Sequence, residues 1–335
     1  MTTLFKKIKR RSPLSRTTTK IAPSSALSPD LHIVENKAAM IGGHPIAPFK
    51  RFIPPYGLLS NTTPGRVAEV KQTSFSYLTD EHPIEFKENQ SIPKIQGLTT
   101  EINGKNTILW KSSEHAFHGQ KLLEFRARLE AERNRYQNQT GPILTNINHD
   151  IALLDAMLIR LNQLPKDKKR DRLDPRKDWD PLVNSFHKQF KTTRAMFGNE
   201  GKNSRERFNM ACRSDRVLES GEILKGEWQE EQIPYSLRFM KQVLRDKMET
   251  HPKLKEQAME FARQGIMPVE VSQRDTIWGT GIDGMGKNLL GITILELGNE
   301  YLIANTETPA ISNPREHFKN NFQGQKDFTH AQLEK

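Results

Sequence analysis

The chain has 335 residues, one cysteine and a net charge of +11, with 35% hydrophobic and 27% charged residues. The lone Cys212 excludes an intrachain disulfide and any cysteine-rich metal centre. No apolar run approaches the length of a membrane span. The excess of Lys and Arg favours an anionic partner (nucleic acid, a phosphorylated metabolite or a membrane surface) without choosing among them.

Residues 1–30 carry no acid before Asp30 and many basic and hydroxyl side chains. They lack the apolar core of a secretory signal and are expected to form a disordered basic tail. A transit-like address and an anion-binding arm are the alternatives. The segment HIVENKAAMIGG suggests a short strand, and residues 51–53 the end of another. Pro54, Pro55 and Gly57 force a turn, and Ser60 to Gly65 reads as an ordered loop. Strand-like pieces follow near 67–70 and 107–110.

The first strong helix signal begins at Ser113 and runs to about Asn138, where Gly141 and Pro142 stop it. A second helix is expected over 150–164, capped by Asp150 and ended by Pro165, with Ile151, Leu154, Leu158 and Leu161 inward. A charged loop and a helix over about 181–196 come next, and residues 204–220 stay ambiguous. Leu237, Met240, Leu244 and Met248 make one apolar stripe. Pro252 opens a following helix with Leu254, Ala258 and Phe261 inward, stopped by Gly265. A short strand at 269–271 precedes a glycine-rich stretch, after which Asn288 caps a last helix. Beyond Asn305 the chain is polar and expected to fray.

Two stretches carry chemistry. In SSEHAFHGQKLLEF (112–125), Glu114, Phe117 and Lys121 share one helical face, so a carboxylate and an amine flank a ring. Spacing alone is also compatible with a solvated charged face over one core Phe. Glu114 and His118, with His115 nearby, invite a metal reading, but H-E-x-x-H is absent and no distant ligand cluster supports it. In DTIWGTGIDGMGKN (275–288), GTGIDG matches G-x-G-x-x-G literally. The residues around it do not fit a dinucleotide turn. A loop remains whose backbone can approach a phosphate, with Asp275, Trp278 and Asp283 projecting; a tight loop packed on its own Trp fits equally well.

Taken together, PYGLLSN (55–61), SSEHAFHGQK (112–121) and the stretch from 239 to 291 resemble the NADAR, or YbiA-like, N-glycosidase family. The first resembles its Tyr-Gly-x-x-Ser-Asn opening, the second its Glu-His helix, the third its Asp-x-x-Trp-Gly-x-Gly and Gly-x-Asn-x-Leu-Gly signatures. The resemblance covers roughly residues 50–305. Thr62 stands where the family usually has an aromatic residue, and His118 and Gly119 replace the commoner Gln-Ala. The last helix lacks the family's usual Arg. The family tryptophan has two candidates, Trp179 and Trp228; Trp228 is preferred because it lies nearer Met240.

The resemblance implies an α+β, mainly helical, YbiA-like single domain over 46–305. A basic tail (1–45), a helical insertion (about 135–220) and a polar C-terminal tail (306–335) accompany it. It also implies hydrolysis of a ribose–amine N-glycosidic bond, without metal or cofactor. Substrates would be ADP-ribosylated guanine in nucleic acid or a phosphorylated ribosylamine of the riboflavin pathway. Glu114 would stabilise the oxocarbenium-like transition state or activate water. Lys121 would bind phosphate, protonate the departing amine or attack the opened sugar, and Asp275 would hold ribose hydroxyls or share the acid–base work. Ser60, Asn61, Phe117, Trp228, Trp278, Gly279, Gly281, Asp283 and Asn288 would line the substrate site. The alternatives are a non-catalytic ADP-ribose-binding module and a partner-binding protein acting through insertion and tail. A cytoplasmic location is the default, with a secreted or organelle-targeted protein as the alternative.

Overall fold

The computed structural model of the protein describes residues 39–49, 59, 69–78, 86–138, 141–164, 173–191, 216–217, 223–224, 235–272 and 275–325. Among these the architecture is α+β and mainly helical, as expected. The strands form small sheets that brace helices. β1 (Ala39–Ile41) and β2 (His44–Phe49) make an antiparallel hairpin, and β10 (Met267–Glu270) joins β2 in parallel, pairing Met267 with Ile46 and Glu270 with Phe49. β3 (Val70–Gln72), β7 (Lys105–Trp110) and β6 (Thr99–Ile102) form an antiparallel sheet in that order. β4 (Ser74–Leu78) pairs with β5 (Phe86–Ser91), and the two-residue strands β8 (Arg216–Val217) and β9 (Ile223–Leu224) pair with each other. Strand therefore begins inside the expected N-terminal tail, at 39; residues 1–38 and 51–53 lie outside the described residues.

Helix α1 (Ser113–Arg135) is the central element. It packs against strands β3, β4 and β7 and against helix α2 (Pro142–Gln163), so both faces of its first half are buried. A buried polar chain fixes its rotation. Trp110 Nε1 donates to Gln72 Oε1 (2.6 Å), Gln72 Nε2 to Gln120 Oε1 (2.7 Å), and Gln120 Nε2 to the Ser76 carbonyl (2.6 Å). The departure at Gly119 has a packing reason: a Cβ there would collide with the Trp110 indole.

Three expected boundaries move. α2 begins at Pro142, not at Asp150, because proline suits the first helical turn, where its missing N–H costs nothing. Asp150 sits buried in mid-helix, and its carboxylate accepts from the Lys191 backbone N–H (2.9 Å to each oxygen). The helix expected over 181–196 is shorter. A π-turn (Pro175–Trp179) leads into α3 (Asp180–Phe186) and a 3-10 turn (His187–Gln189), and Phe190 is already extended.

The apolar stripe forms α4 (Tyr235–Thr250), with Leu237, Met240, Leu244 and Met248 all buried. α5 (Pro252–Gln264) ends at Gly265, whose φ of 66° is the left-handed cap expected. α6 (Leu289–Ala304) follows the glycine-rich loop. Residues 306–325 do not fray, and 326–335 lie outside the described residues: α7 (Pro314–Asn321) seats Phe318 and Phe322 in the core, and Asn299 Nδ2 donates to the Ile311 carbonyl (2.7 Å). Buried aromatic surface outweighs the polar composition there. No described helix is long and apolar enough to cross a membrane.

Candidate active site

The site is built on the first two turns of α1. Ser112 caps the helix, its Oγ accepting from the His115 N–H (3.4 Å) and lying 2.8 Å from His115 Nδ1. His115 Nε2 reaches the Leu164 carbonyl at the end of α2 (2.7 Å). Both ring nitrogens are thus spent, Nδ1 on the cap of α1 and Nε2 on tying α1 to the end of α2. Burial pushes the imidazole pKa down to about 4, against the pull of Leu164 and Glu114. His115 is structural at neutral pH.

Glu114, Phe117, His118 and Lys121 face the same side of α1. The Glu114 side chain keeps 15% of its exposure, enough for one oxygen to meet a ligand. Burial alone would raise its pKa. The hydrogen bond from His118 (3.2 Å) and the positive charge of Lys121 outweigh that and hold it below its ordinary value. Burial also lowers the pKa of His118, more than Glu114 and Asp180 raise it. The imidazole is therefore neutral, with Nε2–H donating to the carboxylate. Its ring stacks on Trp179 (centroids 4.2 Å apart, 23° between planes), which holds the donor in place. Lys121 Nζ lies 4.1 Å from the Phe117 ring centroid, and Phe117 meets Trp278 edge-on at 5.9 Å.

Trp278 comes from the glycine-rich loop. Asp275 organises this loop: its Oδ1 accepts from the backbone N–H groups of Ile277 (2.9 Å) and Trp278 (2.8 Å), and its carbonyl from Gly281 (3.1 Å). The two arms of the loop bond to each other through Lys287 N to Thr276 O, Asn288 N to Gly279 O and Leu290 N to Trp278 O. Gly279 is buried, and a Cβ there would press on the Glu270 carbonyl and on Ser272 (2.9 Å each); Gly281 needs its φ of 68°. Asp283 is exposed and its Oδ1 accepts from Met285 N (3.1 Å).

Asn288 sits at the N-cap position of α6, but its side chain makes no capping bond. Oδ1 accepts from the Glu270 N–H and Nδ2 donates to the Pro268 carbonyl, both at 2.9 Å, clasping β10 to the loop.

The described structure therefore brings Glu114, Phe117, Lys121 and Trp278 together, with Asp275 at the root of the loop. Asn288, Gly279 and Gly281 shape that loop. Ser60, Asn61, Thr62 and Trp228 lie outside the described residues, and of the two candidate tryptophans Trp179 is the one seen against α1. Among the described residues no three His, Cys, Asp or Glu side chains group to hold a metal.

Sequence reasoning passed over one residue, Glu270. Its main chain is the base of the loop: its carbonyl accepts from Thr280 N (3.1 Å) and its N–H is held by Asn288. The residue as a whole is part-buried, but its Oε2 is shut off from solvent and has no hydrogen-bond partner. Burial, with the negative charges of Asp275 and Glu114, pushes its pKa up to about 8. The available signal was a single carboxylate inside the apolar run Met267-Pro268-Val269-Glu270-Val271.

Comparison with known proteins gives one partial likeness: 35% identity over 81 residues to the riboflavin biosynthesis protein PYRR, chloroplastic, of Arabidopsis thaliana. The matched region is 24% of this chain and 12% of that protein, so the chain spans about an eighth of its relative's length. No family model and no solved structure matches the chain.

Proposed function

We propose that the chain is an N-glycosidase that hydrolyses the bond between a ribose and a base-like amine. The observation that carries this reading is the Glu114 carboxylate, kept ionised and fixed by His118 next to Lys121 and the Phe117–Trp278 corner. Cleavage of an N-glycoside builds positive charge on the anomeric carbon. A carboxylate held in place stabilises that charge without reorganising, and can take a proton from attacking water. Lys121 adds a cation suited to the phosphate of the substrate. Asp275 spends Oδ1 on the loop, leaving Oδ2 for ribose hydroxyls. Trp278 offers a ring against which a base can pack.

A phosphorylated ribosylamine of the riboflavin pathway is the substrate favoured by the likeness to the Arabidopsis protein. The net charge of +11 favours the second substrate, ADP-ribosylated guanine in nucleic acid. On this reading residues 135–220 are an addition to the family core, and the Trp179 behind His118 is what that addition brings to the site.

The test incubates the purified chain with a guanine-ADP-ribosylated DNA oligonucleotide and, in parallel, with an early riboflavin-pathway ribosylamine phosphate. Released ADP-ribose or ribose phosphate is followed by mass, with Glu114→Gln as control. Release from either, lost in the variant, is the expected result. Binding without release would make the chain a recognition module instead.

A further inference from the structure

A glycosidase needs two proton-carrying groups in opposite states, one to accept a proton and one to give it. Glu114 supplies the first. Lys121 is one candidate for the second, yet its charge is part of what keeps Glu114 ionised, and Asp275, the other, accepts from two loop N–H groups as a carboxylate does. Glu270 lies within the electrostatic reach of both Glu114 and Asp275, at the point where β10 enters the loop that carries Trp278. Its backbone is pinned on both sides, its N–H by the buried Asn288 side chain and its carbonyl by the Thr280 N–H, so the root of its side chain is fixed. Its Oε2 is buried and unpartnered. A carboxyl oxygen left without a donor in such a place is better suited to carrying a hydrogen than a charge.

We propose that Glu270 is the acid of the reaction, giving its carboxyl proton to the departing nitrogen. The inference rests on the N-glycosidase reading. In the step, the bond from the anomeric carbon to nitrogen breaks and its electron pair stays on nitrogen, which takes the proton from Glu270. The oxygen of a water bonds to the anomeric carbon, and the water's spare proton passes to Glu114. Glu270 ends as a carboxylate and Glu114 as an acid. One proton passed from Glu114 to Glu270 through solvent restores both, and no other reactant is consumed. Burial, and after it the negative charges of Asp275 and Glu114, keep the proton on Glu270 between turnovers, and the proton leaves when positive charge develops on the sugar.

The test compares kcat/KM against pH for wild type, Glu270→Gln and Glu270→Asp on whichever N-glycosidic substrate the wild type cleaves. Gln is neutral and nearly isosteric but has no proton to give. Glu270→Gln is expected to lose about 10²-fold or more, with the basic limb of the wild-type profile gone from its residual activity. Glu270→Asp should retain that limb and part of the rate. A Glu270→Gln variant within ~3-fold of wild type, or a slow one that keeps the basic limb, would overturn the acid role while leaving the glycosidase reading in place. A wild type that cleaves no N-glycoside would overturn the glycosidase reading, and the acid role with it. A melting curve recorded on each variant separates loss of fold from loss of the proton.

Discussion

The first two turns of α1 and the loop over residues 275–288 both carry acidic and aromatic side chains to one place, yet they use their polar groups in opposite ways. On α1 the backbone is satisfied by the helix itself, so Glu114, His118 and Lys121 can be turned outward to a common face. In the loop, Asp275 Oδ1, Asp283 Oδ1 and the Asn288 amide are consumed by main-chain partners. The loop is largely scaffold, and on the proposed reading what it offers a substrate is Trp278, the second oxygen of Asp275 and the buried carboxyl at its base. In this glycine-rich stretch the N–H groups of Ile277, Trp278, Thr280, Gly281, Met285, Gly286, Lys287 and Asn288 are already bonded within the loop or to its base.

If that contrast is right, Glu114→Gln should have the largest effect on turnover, about 10²- to 10⁴-fold, far outweighing its effect on the melting temperature. An equal loss of stability would mean the helix face is structural after all. Asn288→Ala should do the reverse, affecting the fold first. It leaves the Glu270 N–H and the Pro268 carbonyl without partners, at about 1–3 kcal/mol for each orphaned group. Urea unfolding measures this, and a variant as stable as wild type would show that the clasp is dispensable. Gly119→Ala should cost about 1–3 kcal/mol through overpacking against Trp110.

The smallest effect concerns pH. Glu114 is held below its ordinary value, so its contribution to stability is present above the unfolded pKa and is lost as pH falls through the folded one. Activity that needs the carboxylate falls over the same acidic range. His118→Leu removes the donor and should move the acidic limb of kcat/KM to higher pH, while His118→Gln, which can still donate, should restore it. An unmoved limb in His118→Leu would mean that Lys121 alone sets the state of Glu114. Glu270 has the opposite sign. Its pKa is raised, so folding is penalised as pH rises from the unfolded carboxyl value to about 8.

Much of this was legible in the chain. The α1 start, the α4 stripe, the Pro252 and Gly265 boundaries of α5 and the strand before the loop all follow from spacing and caps, which are local properties. The misplacements came where tertiary partners decide. Asp150 looks like a helix cap but caps Lys191 instead, and the polar segment after Asn305 is held by two phenylalanines that periodicity does not register. At the site, Glu114 and Lys121 declare themselves by sharing a face. Glu270 could not, because its state depends first on burial and then on two carboxylates that are far from it in the chain or across a loop.

The chain of side-chain bonds through Trp110, Gln72, Gln120 and Ser76 carries a consequence for heredity. Changing Gln72 alone would strand an indole N–H and an amide oxygen at once, so neither neighbour tolerates the loss of the other. Positions 72, 110 and 120 ought then to be inherited as a unit, drifting together between lineages or not at all. A lineage that had rewritten the trio would also have re-aimed α1, and with it the substrate it accepts.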